Sequence, residues 1–342
     1  MGDRSKREIE LMIKTEKPLE RCKLHKSAAV SDPNYGCAPR ARPIQEYIER
    51  GVVIIDKPAG PTSHEVVAWV KGILNLKKAA HTGTLDPNVT GVLPVLLSVS
   101  RKLADAFVWD KEYVFVMKLH GAVDEAEVRK VSAEFVGKIY QKPPLKSAVR
   151  RRIRVRTIRY IEIKEMEGTD VLMRVGCEAG TYIRMLCHHI GLALGVGAHM
   201  LQLRRTKSFP FDEAKITKLQ DLKDAYVLYE EGGDESHLRE LIMPLEDTLG
   251  HLACIIVKDT AVDAICHGAA LAVPGISRIE EGINIGNRVV LYTLKGEAVG
   301  IGKAKMDSKA MFNAEAGICV ETEKVFMKPG TYIKGWGDKG TE

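Results

Sequence analysis

An apolar run, Val52-Val53-Ile54-Ile55, is followed at once by Asp56-Lys57-Pro58-Ala59-Gly60-Pro61, where proline and glycine stop any regular element. The next residues, Thr62-Ser63-His64-Glu65, form a capping-box pattern that opens a helix. The sequence therefore predicts a buried strand, a turn and an amphipathic helix in succession. Because this core pattern begins only at Val52, residues 1–48 are expected to be an irregular extension that lies on another part of the chain.

Strands and helices mix irregularly through the rest of the chain. Strands are predicted at Tyr113–Leu119, Ile153–Ile163 and Val171–Cys177, and helices at Asp124–Phe135 and Thr181–Leu194. The lack of strict βαβ repetition favours the α+β class with a mostly antiparallel sheet. The charged segment Tyr229–Arg239 is predicted to be a hinge or surface loop. After Gly250, short strands split by glycine and proline are typical of a small β-barrel.

Length and composition narrow the class of protein. A chain of 342 residues with 45% hydrophobic residues favours two domains with sizeable cores. The longest stretch without a formal charge, Met185–Leu203, contains three histidines and three glycines, so no membrane span is predicted. The opening residues lack the apolar region of a secretory signal. Seven cysteines without a CxxC pair indicate a reducing cytoplasm and no zinc knuckle.

Positive charge is concentrated in one segment. Nine lysines and arginines, and no acidic residue, lie between Lys138 and Arg159, in a chain whose net charge is only +6. Such a block indicates a polyanionic partner, although a solvated face is an equally common reason for a charge run. Charge alone leaves both interpretations open.

Three segments contain candidate functional side chains. Asp86 lies among turn-forming residues directly before an apolar run, where an aspartate is more often a turn residue than a catalytic one. Arg184 falls in the first turns of a predicted helix, where it could pair with a carboxylate. Tyr113 starts a strand and is more often a core residue than a stacking platform. Spacing along the chain does not bring these three together.

Other familiar signatures fail. The GxGxxG match at Gly335–Gly340 ends two residues before the last residue, so no helix can follow it to bind a phosphate. His188 and His189 are adjacent on a predicted helix and point about 100° apart, which favours packing over metal binding. A hydrolase built on Ser63, His81 and Asp86 is the weakest interpretation, because nothing supplies a nucleophile elbow or an oxyanion hole. No metal site is predicted.

The motifs resemble those of the TruB-type pseudouridine synthases in order and spacing. Gly51–Ser63 resembles the first motif, His81–Pro94 the second, Lys111-Glu112-Tyr113 the tyrosine motif, and Gly180–Arg184 with Gly197–Arg205 the third. The tail, with His267–Ile276 and Val289–Lys305, resembles a PUA domain, a small RNA-binding barrel. Together they resemble the dyskerin branch, the catalytic subunit of box H/ACA guide-RNA particles. Ala80 departs from the glycine usual before the histidine but leaves Asp86 in place.

The resemblance implies a domain organisation. Residues 1–48 would be an extension packing on the PUA domain, 49–250 the catalytic domain, 251–332 the PUA domain and 333–342 a tail. The fold class implied is a mixed, mostly antiparallel α+β catalytic domain plus a small β-barrel.

The resemblance also implies roles for individual residues. Asp86 would be the nucleophile or base, Arg184 would pair with it and lower its pKa, and Tyr113 would stack on the flipped base. Tyr182 and Leu203 would wall the pocket, and His81 would fill the gap left by the base. The residues expected to bind RNA are Lys57, Arg150, Arg151, Arg152, Arg154, Arg204 and Arg205, with Gly268, Ala269 and Gly275 in the PUA domain. No cofactor is expected.

The implied partners are a guide RNA, a target RNA and three small proteins: one along the catalytic domain, a barrel protein governing turnover and a kink-turn-binding protein. The long extension, the compact stretch between Tyr113 and the third motif, and the full PUA-like tail favour this guide-dependent branch. The alternatives are a guide-free enzyme acting on the T-arm loop of tRNA and a non-catalytic RNA scaffold. The presence of Asp86, Tyr113 and Arg184 disfavours the scaffold.

Overall fold

The computed structural model describes residues 17–107, 110–143 and 152–334, which fold into two compact units. Within the described chain, the first unit contains residues 53–96 and 103–241, and the second contains residues 17–52, 97–102 and 242–334. The second unit therefore combines the beginning of the described chain with its end. Across these ranges, no helix has the length and apolar character needed to cross a membrane.

The described ranges contain seventeen strands and nine α-helices. The strands are β1 Leu24–His25, β2 Gly51–Lys57, β3 Ala79–His81, β4 Thr90–Leu97, β5 Lys111–Leu119, β6 Gly137–Gln141, β7 Arg154–Glu167, β8 Asp170–Cys177, β9 Ala198–Ser208, β10 Ile216–Thr217, β11 Ile242–Pro244, β12 Ala253–Val257, β13 Leu271–Ala272, β14 Ile276–Ile279, β15 Arg288–Tyr292, β16 Ala298–Ala304 and β17 Ile318–Val325. The helices are α1 Pro18–Arg21, α2 Ile44–Glu49, α3 Ser63–Ile73, α4 Glu125–Glu134, α5 Ile183–Ala193, α6 Leu219–Gly232, α7 Ser236–Leu241, α8 Asp259–Cys266 and α9 Ser308–Asn313.

Helix α3 begins where the capping box predicts. Oγ1 of Thr62 accepts the N–H of Glu65 at 3.2 Å, and the Glu65 carboxylate accepts the N–H of Thr62 at 2.7 Å. Val66, Val67 and Val70 are buried on one face of the helix. The cap and the apolar face together fix Ser63 as the first helical residue.

The sheet of the first unit runs in the order β10-β2-β4-β9-β5-β8-β7-β6, with β3 beside β4. Strand β5 pairs antiparallel with both β8 and β9, whereas β9 pairs parallel with β4. The register sets Gly91 of β4 against Arg205 of β9, and Arg205 against Tyr113 of β5. The loop that precedes β4 therefore lies level with the start of β5. On one face, buried side chains of β5 pack with those of α5.

The second unit is a seven-stranded sheet in the order β1-β14-β12-β15-β16-β17-β13. Strand β12 pairs parallel with β15, and the other pairs are antiparallel. Its core contains Ile255, Leu291 and Val299 from the strands and Val262 and Ile265 from α8.

Residues that precede β2 are attached to this second unit by three kinds of contact. Strand β1 pairs with β14, with Leu24 opposite Ile279. The ammonium of Lys295 donates to the carbonyls of residues 32, 35 and 36, at 2.9 Å for the first and 3.2 Å for the last. The guanidinium of Arg42 forms two hydrogen bonds, of 3.0 and 2.6 Å, with the buried carboxylate of Glu246. A strand pair, an ammonium clamp and a buried ion pair thus order an otherwise irregular segment.

The fold class predicted from the sequence is confirmed, because the chain combines a mixed sheet and helices with a second, smaller β-rich unit. One expectation was wrong. The segment Tyr229–Arg239, predicted to be a hinge or surface loop, is mostly helical, because α6 continues to Gly232 and α7 begins at Ser236. Gly233 adopts a left-handed conformation, with φ of 72°, which lets the chain leave α6 in a short connection.

Candidate active site

Asp86 lies on the loop between β3 and β4. Its side chain is 57% exposed, while Leu85 and Val89 on either side are buried. The N–H of Val89 donates to the carbonyl of Asp86 at 3.0 Å, which closes a turn. The apolar neighbours anchor the loop, and the carboxylate stays accessible.

Two side chains from the segment before α3 and from its first turn hold the backbone of this loop. Oγ of Ser63 accepts the N–H of Leu85 at 2.8 Å and donates to its carbonyl at 3.1 Å. The buried ammonium of Lys57 donates to the carbonyls of Pro87 at 2.8 Å and Val89 at 2.9 Å. Leaving such buried groups without a partner costs about 1–3 kcal/mol each. These contacts therefore hold the loop in one conformation.

Arg184, the second residue of α5, donates a hydrogen bond from its guanidinium to Oδ2 of Asp86. The two side chains are 48% and 57% exposed. An ion pair this exposed contributes at most about 1 kcal/mol to stability. Its main effect is therefore to orient the carboxylate rather than to stabilise the fold.

Tyr113 is half-buried at the start of β5, directly across from Arg205 of β9, whose guanidinium is buried. Burial raises the pKa of Tyr113, so its ring remains a neutral phenol near pH 7. Arg205 donates to the carbonyls of Val92 at 2.8 Å and Gly83 at 3.1 Å. A single guanidinium, beside Tyr113, thus joins β4 to the loop that carries Asp86.

His81 ends β3, and its ring meets that of His64 edge-on at 4.9 Å between centroids. Burial, with smaller contributions from His64 and Arg205, lowers the pKa of His81 to about 4. The imidazole is therefore neutral at physiological pH and serves as an uncharged ring.

Tyr182 and Leu203 are both half-buried. Tyr182 immediately precedes α5, and Leu203 pairs with Phe115 of β5 and packs against the core of the first unit.

The site combines an exposed carboxylate on a fixed loop, a guanidinium that orients it and a neutral phenol. This set suits a carboxylate acting as nucleophile or base on a substrate ring. It does not suit the hydrolase alternative, because the hydroxyl of Ser63 is buried and bonded to the backbone of Leu85.

The residues predicted to bind RNA fall into different environments. Arg152 is exposed and Arg154 half-buried, whereas Arg150 and Arg151 lie outside the described residues. Lys57 and Arg205 are buried with their donors on backbone carbonyls, so neither presents an exposed cation.

Arg204 is half-buried and pairs with the carboxylates of Asp56 and Glu213. In the second unit, Gly268 and Ala269 are exposed after α8, and Gly268 has a φ of 90°. Gly275 is half-buried, and a Cβ there would lie 2.9 Å from that of Ala261. The described part of the chain contains no group of three side chains able to hold a metal ion.

Two contacts of this site were missed by sequence reasoning. Ser63 was considered as part of a helix-opening pattern, of a family motif and of a hydrolase alternative, but its bonds to the loop of Asp86 appear only in the folded chain. Gln141, whose amide bonds the backbone of Tyr182, carries no sequence signal at all.

Lys111, the first residue of β5, provides a pH test of this packing. Its ammonium donates to Oγ of Ser208 at 2.8 Å, and burial lowers its pKa from 10.5 to about 7. Between these values the unfolded chain binds a proton that the folded chain does not, so this contribution to stability rises with pH and is lost as pH falls to 7. We therefore expect the free energy of unfolding of the wild type, minus that of Lys111→Met, to rise as the pH is raised from 7 to 10. Denaturant unfolding of both proteins measures this difference. The slope is at most about 1.4 kcal/mol per pH unit. A difference independent of pH would contradict the burial of a titrating ammonium.

Models of known protein families match nearly the whole chain. It matches the TruB family pseudouridylate synthase N-terminal domain over residues 71–183 and the tRNA pseudouridylate synthase B C-terminal domain over 184–250. It matches the PUA domain over 254–326 and the DKCLD domain over 7–67. The probable tRNA pseudouridine synthase B of Methanopyrus kandleri is 58% identical over 92% of this chain and 93% of that protein. That of Methanosarcina barkeri is 56% identical over 94% and 95%.

Solved structures agree with the sequence relatives. A chain in an H/ACA RNP bound to a substrate RNA containing 2′-deoxyuridine is 50% identical, with a TM-score of 0.84 over 92% of this chain and 96% of that one. A chain in a Cbf5–Nop10–Gar1 complex is 51% identical, with a TM-score of 0.83 over 94% and 99%. Fold and site thus define an enzyme that modifies RNA through a catalytic domain linked to a PUA domain. The chain belongs to the TruB family of pseudouridine synthases, in its dyskerin branch.

Proposed function

We propose that this chain isomerises specific uridines in RNA, chiefly in rRNA, to pseudouridine as the catalytic subunit of a box H/ACA guide-RNA particle. The observation that carries the chemistry is the accessible carboxylate of Asp86 on a fixed loop, in contact with Arg184. The guide-dependent assembly is supported by relatives about half identical over almost the full chain, one in an H/ACA RNP with a substrate RNA and one in a complex with Nop10 and Gar1.

The reaction breaks the C1′–N1 bond of uridine, turns the base and joins C5 to C1′. C5 loses a proton and N1 gains one, so neither redox change nor an external energy source is needed. Asp86 would act as a carboxylate, attacking C1′ or C6 or removing the 2′ proton. Each route needs an oriented carboxylate, and the hydrogen bond from Arg184 would hold that of Asp86 in position.

The neighbouring residues would shape the pocket for the base. A uridine in stacked RNA must be flipped out before its ring can be reached. The neutral phenol of Tyr113 would stack on the base and stand near C5 when its proton leaves. Tyr182 and Leu203 would keep water from the intermediate. The uncharged ring of His81 would occupy the gap left in the RNA.

Basic side chains would hold the RNA backbone without reading its sequence. Arg152 and Arg154, with Arg150 and Arg151 beside them in the chain, would contact phosphates and give an affinity that falls with salt. Base pairing to the guide would then choose the uridine. The PUA domain, through the surface near Gly268, Ala269 and Gly275, would bind the guide.

The remaining assignments follow from the same proposal. Residues 1–48 form the extension that packs on the PUA domain, 49–250 the catalytic domain, 251–332 the PUA domain and 333–342 a tail. The protein partners are a short protein along the catalytic domain, a turnover-governing barrel protein and a kink-turn-binding protein. The compartment we propose is the cytoplasm.

A second candidate function is guide-free modification of the T-arm loop of tRNA. It is favoured by the similar proteins from Methanopyrus kandleri and Methanosarcina barkeri, which are named as probable tRNA pseudouridine synthases.

Tritium release from [5-³H]uridine-labelled RNA separates the two candidates. The assay compares a matched guide RNA with partner proteins, the same mixture without guide, and naked tRNA. We expect release at the paired uridine only when the guide is present, because guide pairing supplies the sequence choice. Equal release from tRNA alone would favour the guide-free enzyme instead. No release in any arm would overturn the assignment of activity.

A further inference from the structure

Gln141 is the last residue of β6, and it is only 2% exposed. Its side-chain amide bonds both backbone groups of Tyr182. Nε2 donates to the Tyr182 carbonyl at 3.1 Å, and Oε1 accepts the Tyr182 N–H at 2.9 Å. Two bonds from one planar amide fix the orientation of the peptide as well as its position.

Tyr182 is the residue from which α5 starts, and no side chain of its own caps the helix. Its carbonyl already accepts the N–H groups of Met185 at 3.1 Å and Leu186 at 3.0 Å, which form the first turn. Arg184 lies within that turn and reaches Asp86. The clamp from Gln141 therefore acts on the piece of backbone that sets where the guanidinium of Arg184 lies.

We propose that Gln141 is a positioning residue for the isomerisation, which fixes the start of α5 so that Arg184 meets Asp86 and Tyr182 lines the pocket. The inference rests on the proposed function of this site. Because the side chain of Gln141 is buried, it contacts no RNA and acts only through its neighbours. A displacement of about 1 Å at a catalytic group can cost about 100-fold in rate. Loss of the clamp should therefore lower kcat and leave KM nearly unchanged.

Two substitutions separate positioning from general damage to the fold. Gln141→Leu removes both bonds at similar volume, and we expect kcat to fall about 10- to 100-fold with KM within about twofold. Gln141→Glu keeps the acceptor but sets a carboxylate oxygen against the Tyr182 carbonyl. Burial and this repulsion favour the protonated acid, which can donate to the carbonyl as the amide does. The ratio of Gln141→Glu activity to wild-type activity should therefore rise as pH falls from 9 to 6, while the ratio for Gln141→Leu stays constant.

The assay is single-turnover and steady-state tritium release from guide-paired RNA by the assembled particle, with thermal unfolding of each variant alongside. Gln220→Glu, at an exposed position of α6, is the matched control and should behave as wild type. Wild-type kcat in Gln141→Leu would overturn the proposal, as would a loss in Gln141→Glu that does not change with pH. If Gln141→Leu fails to fold, the activity of Gln141→Glu still tests the proposal, because it should recover as the pH falls. Absence of release by the wild type would instead count against the proposed function.

Discussion

Replacing Asp86 with asparagine is expected to abolish tritium release, lowering the rate by at least about 10⁴-fold, the usual loss when an enzyme loses its nucleophile. The amide cannot act as a nucleophile or base, whichever atom of the nucleotide the carboxylate reacts with. Folding should hardly change, because the side chain of Asp86 is 57% exposed and its ion pair with Arg184 is equally open to solvent. Affinity for RNA should be retained, since phosphate contacts come from other residues.

The matched control is Asp224→Asn, which removes the same charge from an exposed position of α6. It should release tritium at the wild-type rate. Thermal unfolding and filter binding to guide-paired RNA show whether Asp86→Asn is folded and binds. Release by a folded Asp86→Asn at a rate near that of wild type would refute the role of Asp86 in the reaction.

Local signals in the sequence predicted local structure well. The start of α3 follows from the Thr62–Glu65 capping box, and the helix after Asp124 begins at an aspartate whose carboxylate accepts the N–H of Ala126 at 2.8 Å. The structure of the segment that precedes β2 was harder to predict from the sequence. Strand β1 is two residues long, and its partner β14 lies some 250 residues further along, so its position is fixed by tertiary contacts alone. A strand that short has no detectable period.

In the candidate site, too, some features could be predicted from the sequence and others depend on tertiary contacts. Resemblance to a family pointed to Asp86, Tyr113 and Arg184, and the folded chain places Arg184 against Asp86. The same resemblance implied that Lys57 binds RNA. Its ammonium is instead surrounded by backbone carbonyls, two of them from the loop of Asp86. Nothing in the local pattern distinguishes a buried lysine from an exposed one, because burial depends on segments distant in the chain.

Breaking the buried ion pair between Arg42 and Glu246 on one side should strongly destabilise the second unit. The two side chains are 0% and 5% exposed. Glu246→Gln removes the carboxylate that is bonded to this buried guanidinium, and breaking a buried pair on one side costs about 3–5 kcal/mol. Urea unfolding should show a fall of this size in the free energy of unfolding. Limited proteolysis should cut the segment before β2 faster, since Arg42 belongs to it.

A double substitution tests whether the loss comes from the stranded charge. Oε1 of Glu246 also accepts the N–H of Ala298 at 2.9 Å, and glutamine can still accept that bond. Arg42→Met with Glu246→Gln should therefore be more stable than Glu246→Gln alone, because the buried guanidinium that lost its bonded carboxylate is also removed. The exposed pair nearby is the control: Asp247→Asn, opposite the 66%-exposed Arg40, should change stability by less than about 1 kcal/mol. If the double variant is as unstable as the single one, packing around Arg42 rather than its charge determines how the extension is held.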